Sequence, residues 1–398
     1  MGIANSAGPL KGIKVIEVAR FVTGPFCGQL LGDLGADVIK IEDTNGGDPF
    51  RGWSVESDGY GAPFVAFNRN KRSLTLDLRA PESRDILFSL IDGADVLIEN
   101  FRPGGAAKLG IDYDMLKSRN PKLVYCAITG VGTTGCYAGR ACYDAVGQGL
   151  SGLLSLLIDR EDPQPVGPTF SDTLTGLFAA YGVLAALNAR ATTHLGQRVN
   201  TSLLQATMRF MHEAYAVFFK TGHVPNAYSR PQASQVYAFV CRDGLPLVVH
   251  LSSPDKFWQG FVAALDRTDL AADARYKTHG ARRQHWKTIH AELKPLLAAQ
   301  DRAYWLERFA AADVPAAPIH QVNEALDDPQ VWETGMRIFA DHPKHGRVDM
   351  VGYPVTLSDT PSPQVIAPPV LGEHTDTILA ELGYDAESVR RFHERGIV

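Results

Sequence analysis

Two apolar runs near the N-terminus, IKVIEV at 13–18 and DVIKIE at 37–42, flank one helical stretch, FCGQLLGDLGA. Strands joined through a single helix run parallel, because a parallel return needs a crossover of about a dozen residues or more. A parallel sheet has to be covered on both faces, so this opening commits the chain to an α/β fold with a large core. The alternation continues through SLTLDL (73–78), a helix opened by Pro81-Glu82, VLIENF (96–101) and LVYCAITG (123–130). Two long helical patterns follow, from about Asp172 to Ala191 and from about Thr201 to Lys220. In the first, Leu174, Leu177, Phe178, Tyr181, Leu184 and Leu187 recur at helical spacing and form an apolar face.

The pattern changes after the polar stretch His223–Gln235. VYAFVCRDG and PLVVHLS meet at Asp243-Gly244, a strong hairpin signal. Helices then lead to a short strand, APIH, at 317–320, and the tail closes with helices beginning at His374 and Asp385. The expected architecture is one large α/β domain built from 1–224 and 326–398, with a smaller α+β domain, 225–325, inserted between.

At 398 residues the chain can bury such a core, and 45% hydrophobic with 21% charged residues is ordinary for a globular protein. A net charge of -5 gives no support to a nucleic-acid partner, so a polyanionic ligand would need a local basic patch. No apolar run looks long enough to span a membrane, and the N-terminus lacks the basic region and apolar core of a secretory signal. Its Met-Gly start and Ser6 match a myristoylation pattern only loosely. Five scattered cysteines read as reduced thiols of a cytoplasmic protein rather than a disulfide framework.

Several motifs point elsewhere and fail on context. Gly130-Val131-Gly132-Thr133-Thr134-Gly135 matches a dinucleotide fingerprint, but CYAGRACYD after it lacks a helical apolar stripe, so a glycine-rich loop is expected. His342-Pro-Lys-His345 is spoiled as a helical metal pair by its proline, and no G-x-S-x-G elbow is present; no metal site is expected. Asp172-Thr-Leu-Thr-Gly176 puts an acid at a helix start. There the macrodipole and free N–H groups stabilise it, so the residues alone leave a capping role and a chemical role both open.

Taken together, several segments resemble the class III CoA-transferases, a family that also holds α-methylacyl-CoA racemases. They are GPFCGQLLGDLGADVIKIE, FNRNKRSLTLDL, ENFRPGGAAKLG, YDAVGQGLSG, SDTLTGLFAAYGVLAAL and PVLGEHTDTILAELGY, in family order over nearly the whole chain. The resemblance implies a Rossmann-like large domain, a small domain and two subunits threaded as linked rings. It implies that Asp172 is the covalent nucleophile, forming an acyl-aspartyl anhydride and then an aspartyl-CoA thioester. It implies CoA thioesters as substrates and no permanently bound cofactor.

The racemase branch pairs that acid with a histidine; the matching position here is Tyr143, followed by Asp144. An unperturbed phenol, with a pKa of about 10, is a poor base for an α-proton near neutrality. Transfer is therefore favoured over racemisation, with a non-catalytic CoA-binding subunit of a heteromer as a further alternative. For CoA, the family positions and local cations give Asn70, Lys71, Arg72, Asn100, Phe101, Arg102 and Lys108. Where formyl-CoA transferases carry an arginine after VIKIE, this chain has Asp43, so another cation must replace that contact. At the acyl end, Arg20, Phe21 and Val22 are expected. Val22 stands where the formyl/oxalate enzymes have glutamine, and SRPQASQVY (229–237) lacks their glycine-rich loop. The expected donor is therefore succinyl-CoA-like and the acceptor a larger carboxylic acid; Arg20 could pair with a distal carboxylate, and equally could be a structural ion-pair partner or contact CoA. The subunits are expected to form a homodimer or a heterodimer with a paralogue.

Overall fold

A computed structural model of the protein describes residues 8–54, 58–252 and 254–398; the N-terminal residues that carry the loose myristoylation match lie outside them. Two compact units emerge. The first takes the chain as far as Leu154, then Gly167–His212 and Gly335–Val398; the second takes Ser155–Val166 and Glu213–Thr334. These limits differ from 224 and 325. The later expected cut falls inside the helix Val322–Asp327, which Asp328 joins directly to the helix Pro329–Glu333.

The first unit is built on a six-stranded sheet, β1 (Lys14–Val18), β2 (Asp37–Glu42), β3 (Lys71–Thr75), β4 (Val96–Glu99), β5 (Val124–Thr129) and β6 (Arg198–Ser202). Its order is β3-β2-β1-β4-β5-β6, and every pairing is parallel. Strand order thus reverses between β1 and β4, and open sheets of this kind bind ligands in the crevice beyond the strand ends at that point.

Successive residues of each strand face opposite layers. Ile16, Ile39, Leu97 and Tyr125 pack with the helix Ser83–Asp92 and with Ile378, Leu379 and Phe392 of the C-terminal helices. Val15, Val38, Val96 and Val124 face the other way. They pack with α1 (Thr23–Asp33) and the long helix α3 (Phe170–Thr193), which follows the short α2 (Asp144–Leu150). Gly176 lets α1 and α3 approach: a Cβ there would stand 2.8 Å from the Thr23 carbonyl oxygen and 3.0 Å from Phe26. Contrary to expectation, α3 is long and apolar enough by composition to cross a membrane. Instead, Thr175, Gly176, Ala179, Ala180 and Val183 bury one face in this core, whereas Leu177 and Tyr181 stay exposed.

Strand β6 has the polar sequence RVNTS, and its last two residues, Thr201 and Ser202, open the stretch read as a second long helix. Helix α4 (Leu203–Phe210) and the helix His212–Thr221 follow, divided at Met211. In the second unit, β7 (Val236–Val240), β8 (Pro246–His250) and β9 (Ala316–Pro318) form an antiparallel sheet around the expected hairpin. Helices including Asp255–Ala264 and Trp286–Leu297 cover it with Trp258, Phe261 and Leu293.

Candidate active site

Beyond the strand ends at the β1/β4 reversal lies a cavity of ≈ 310 Å³. Four pieces of chain wall it: the turn after β1 (Arg20–Thr23), the segment after β4 (Asn100–Pro103), the end of β5 (Ile128–Gly130), and Arg140, Cys142 and Tyr143 before α2. Asp172, in the first turn of α3, and Leu203 complete it. The glycine-rich stretch 130–135 is loop, and the next helix begins only at Asp144.

Asp172 stands in unusual electrostatics. Its backbone N–H donates to Asp144 Oδ1 at 3.1 Å, so Asp144 caps the opening of α3 and places a second carboxylate beside the first. Among the described residues no cation forms an ion pair with Asp172. Burial pushes its carboxyl up and the Asp144 charge adds to it, raising the pKa from its ordinary 3.8 to about 7. The Asp144 side chain does not line the cavity; its Oδ2 accepts from Gln148 Nε2 at 2.5 Å. Asp144 therefore stands behind Asp172 rather than on the cavity wall.

Tyr143 is no packed core residue. It is 63% exposed, precedes α2 directly, and meets the Phe21 ring edge-on at a centroid distance of 6.1 Å. Trp53 and Phe50 meet the same ring at 6.3 and 5.4 Å. Val22 is buried in the wall, and the Arg20 guanidinium, half exposed, lies 3.8 Å from Asp43. No histidine appears among the described residues of this cavity.

The expected phosphate-binding cations divide sharply. Asn70, Lys71 and Arg72 lie in the interior and line neither cavity, which corrects their assignment to CoA. Asn70 Nδ2 donates to Asp33 at 2.8 Å; Lys71 Nζ is 2.8 Å from Glu17; Arg72 forks onto Asp37 at 2.6 Å and reaches Glu381 at 2.9 Å. Buried charges and amides need such partners, and these three side chains have theirs within the fold. Lys108 is exposed and lies outside both cavities. Arg102 and Phe101 do line the larger cavity. Asn100 lines it too, but its amide is committed: Oδ1 accepts from Arg20 N–H at 3.1 Å, and Nδ2 donates to the Arg20 carbonyl and Thr23 Oγ1. A second cavity of ≈ 210 Å³, lined by Ile41, Asp43, Leu76 and Arg79 among others, shares Arg20 and Phe101 with the first.

Three neighbours of the site escaped the sequence reading. Arg140 lies over the Tyr137 ring at 4.0 Å and has no carboxylate partner among the described residues. The Cys142 thiol is pushed up by burial and by Asp172. Trp53 comes from the segment after β2. A basic or aromatic residue in a loop carries no periodicity, so only the fold could bring these here.

The profile of CoA-transferase family III matches residues 10–375. The chain belongs to that family. It is 36% identical to the succinate–glutarate CoA-transferase of Agrobacterium fabrum, over 95% of this chain and 96% of that one. It is 32% identical to the beta subunit of the succinyl-CoA–L-malate CoA-transferase of Chloroflexus aurantiacus, over 98% of each. Among solved structures, a CAIB/BAIF family protein from Brucella suis superposes with a TM-score of 0.84 at 36% identity, covering 94% of this chain and 99% of that one. This CoA-transferase is therefore an enzyme whose substrates are CoA thioesters and carboxylic acids.

Proposed function

We propose that the enzyme moves CoA from a succinyl-CoA-type donor to a larger carboxylic acid, with Asp172 as the covalent nucleophile. The observation that carries this reading is a carboxyl group on the wall of a cavity at the sheet's reversal point, with no cation paired to it among the described residues. A carboxylate without a counter-ion and with a raised proton affinity is a stronger nucleophile than an ion-paired one.

In the proposed sequence, a carboxylate oxygen of Asp172 bonds to the thioester carbonyl carbon of the donor. The carbon–sulfur bond breaks, leaving an acyl-aspartyl anhydride and CoA thiolate. The thiolate attacks the aspartyl carbonyl, expels the donor's carboxylate and leaves an aspartyl-CoA thioester. The acceptor carboxylate then runs the same two steps in reverse and restores Asp172. No external proton or electron is consumed.

Arg20, Arg102 and Arg140 surround the cavity with positive charge, which suits carboxylate substrates. The weak, solvent-facing contact of Arg20 with Asp43 leaves it free to meet the distal carboxylate of a succinyl group. Relatives named succinate–glutarate and succinyl-CoA:glutarate CoA-transferases support that donor class. In the second cavity, Arg79 is the cation that stands in for the arginine replaced by Asp43, and Phe101 offers a stacking face to the nucleotide end of CoA. The absence of a histidine from the described lining favours transfer over racemisation.

The reading includes a dimer of threaded subunits. Leu177, Tyr181, Met208 and Phe210 of the first unit, and Phe218 and Phe219 of the second, are exposed apolar side chains that a second subunit would cover. The beta-subunit relative makes a heterodimer a specific alternative, which light scattering of the isolated chain distinguishes. Five free thiols fit a cytoplasmic setting.

Mass spectrometry of enzyme incubated with a panel of acyl-CoA species and acids tests the core of the proposal. The expected result is a CoA adduct on Asp172, discharged by the acceptor. An adduct elsewhere, or formyl-CoA and oxalate as the preferred pair, overturns it. Arg20→Met should lose about tenfold to a hundredfold in kcat/KM for dicarboxylic donors and little for butyryl-CoA.

A further inference from the structure

The turn after β1 forms one wall of the larger cavity, and its backbone is held from outside. Four main-chain groups of three successive residues are taken by side chains. The Ala19 carbonyl accepts from Lys40 Nζ at 2.8 Å. Asn100 takes both the N–H and the carbonyl of Arg20. The Phe21 N–H points between the two oxygens of Asp48, 3.2 Å from each.

Phe21 itself sits at φ +65°, a left-handed conformation that bulky L side chains avoid. Residues persist in such conformations only where the surroundings over-determine them. Beneath the turn, Lys40 Nζ lies 2.9 Å from Asp48 and 2.9 Å from Glu17, and Glu17 is shared with Lys71 at 2.8 Å. All four groups are buried, and their charges cancel. A buried ionic cluster is weak evidence for stability, since apolar packing of equal volume does as well. This one ends on the backbone of the residue with the strained φ.

Resting on the reading of this cavity as the acyl-CoA site, we propose that Lys40 and Asp48 are positioning residues: they lock Phe21 in its left-handed conformation, so that its ring, braced against Tyr143, sets the size of acyl group admitted. Neither residue touches the reacting atoms. When Asp48 loses its charge, the Phe21 N–H is left with one neutral oxygen in place of two charged ones, and Lys40 loses a counter-ion. The turn then relaxes toward ordinary φ and the ring leaves its place on the wall. Selectivity among donors suffers before the chemistry does.

Two readouts test this, one of them independent of catalysis. At a residue held at φ +65°, glycine is favoured over alanine. In chemical denaturation, Phe21→Gly should therefore be more stable than Phe21→Ala, and this advantage should vanish when Asp48→Asn is added to both. In kinetics, the spread of kcat/KM across succinyl-CoA, butyryl-CoA and benzoyl-CoA should narrow by about tenfold or more in Asp48→Asn. A glycine advantage undiminished by Asp48→Asn, or an unchanged donor spread, overturns the proposal. Should Asp48→Asn not fold, Lys40→Gln removes the other positioning charge and is read in the same two ways. A native enzyme that transfers CoA from no donor, while the glycine advantage still vanishes, defeats the reading of the function and leaves the hold on Phe21 standing.

Discussion

Asp172 lines the cavity and Asp48 lies buried behind the cavity's Phe21 wall, and the neighbours of these two carboxylates push them in opposite directions. Burial raises both. For Asp48 this is outweighed by Lys40 and by the N–H groups of Phe50 and Phe21, so it stays below the usual carboxylate range. For Asp172 nothing compensates, and Asp144 adds like charge. Where the environment drives two similar groups apart, their roles differ: the paired one supports the fold, the unpaired one is available for chemistry.

The largest effect that bears on this contrast is catalytic. Asp172→Ala should lower CoA transfer by about four orders of magnitude or more, as removal of a covalent nucleophile does. Substantial remaining activity in a steady-state assay would remove Asp172 from its side of the comparison. Next comes the cost of breaking the paired side. Lys40→Met leaves Asp48 and half of Glu17 uncompensated in the interior and should destabilise the fold by about 3–5 kcal/mol in urea titration.

The unpaired side should respond in the opposite sense. A carboxyl with folded pKa near 7 and unfolded pKa near 3.8 is protonated in the fold while ionised in the unfolded chain between those limits. The stability contributed by this protonated carboxyl is therefore present below pH 3.8, is lost as pH rises toward 7, and changes no further above that. Asp172→Asn avoids that loss and should stabilise the protein by about 1–2 kcal/mol at about pH 8, after discounting for partial exposure, with no gain near about pH 4. A thermal melt at both pH values checks it.

The smallest effect sharpens the cause. The kcat/KM profile should rise with pH to a plateau, with its midpoint near 7, because the carboxylate is the reactive form. Asp144→Asn removes the like charge and should move that midpoint to lower pH. A midpoint that stays in place would assign the shift to burial alone.

The sheet was readable because β1, β2, β4 and β5 are short continuous apolar runs separated by helices, the pattern a two-sided parallel sheet requires. β6 was not, because an edge strand of sequence RVNTS has neither apolar run nor alternation. Asp172 could be marked by its place before an apolar helix and by the family resemblance, and Gly176 has a visible reason in the close crossing of α1 and α3. The cations misled for a physical reason. Lys71-Arg72 has the composition of a solvated basic patch, yet both side chains turn inward to carboxylates. Those of Asp37 and Glu381 lie 35 and 309 residues from Arg72 in sequence, and Glu17, the partner of Lys71, sits on another strand. Linear order does not record which acid faces which base. Asp48 was passed over likewise: its importance comes from the backbone it holds, not from a motif around it.

The two cavities touch at Arg20 and Phe101. A ligand long enough to occupy both would be gripped at one end and react at the other, so tightness gained far from the thioester can be converted into speed at it. Shortened thioesters of pantetheine, which reach the carboxyl but not the distant hollow, should then be slow substrates even at saturation, and adding the severed nucleotide half separately should restore little.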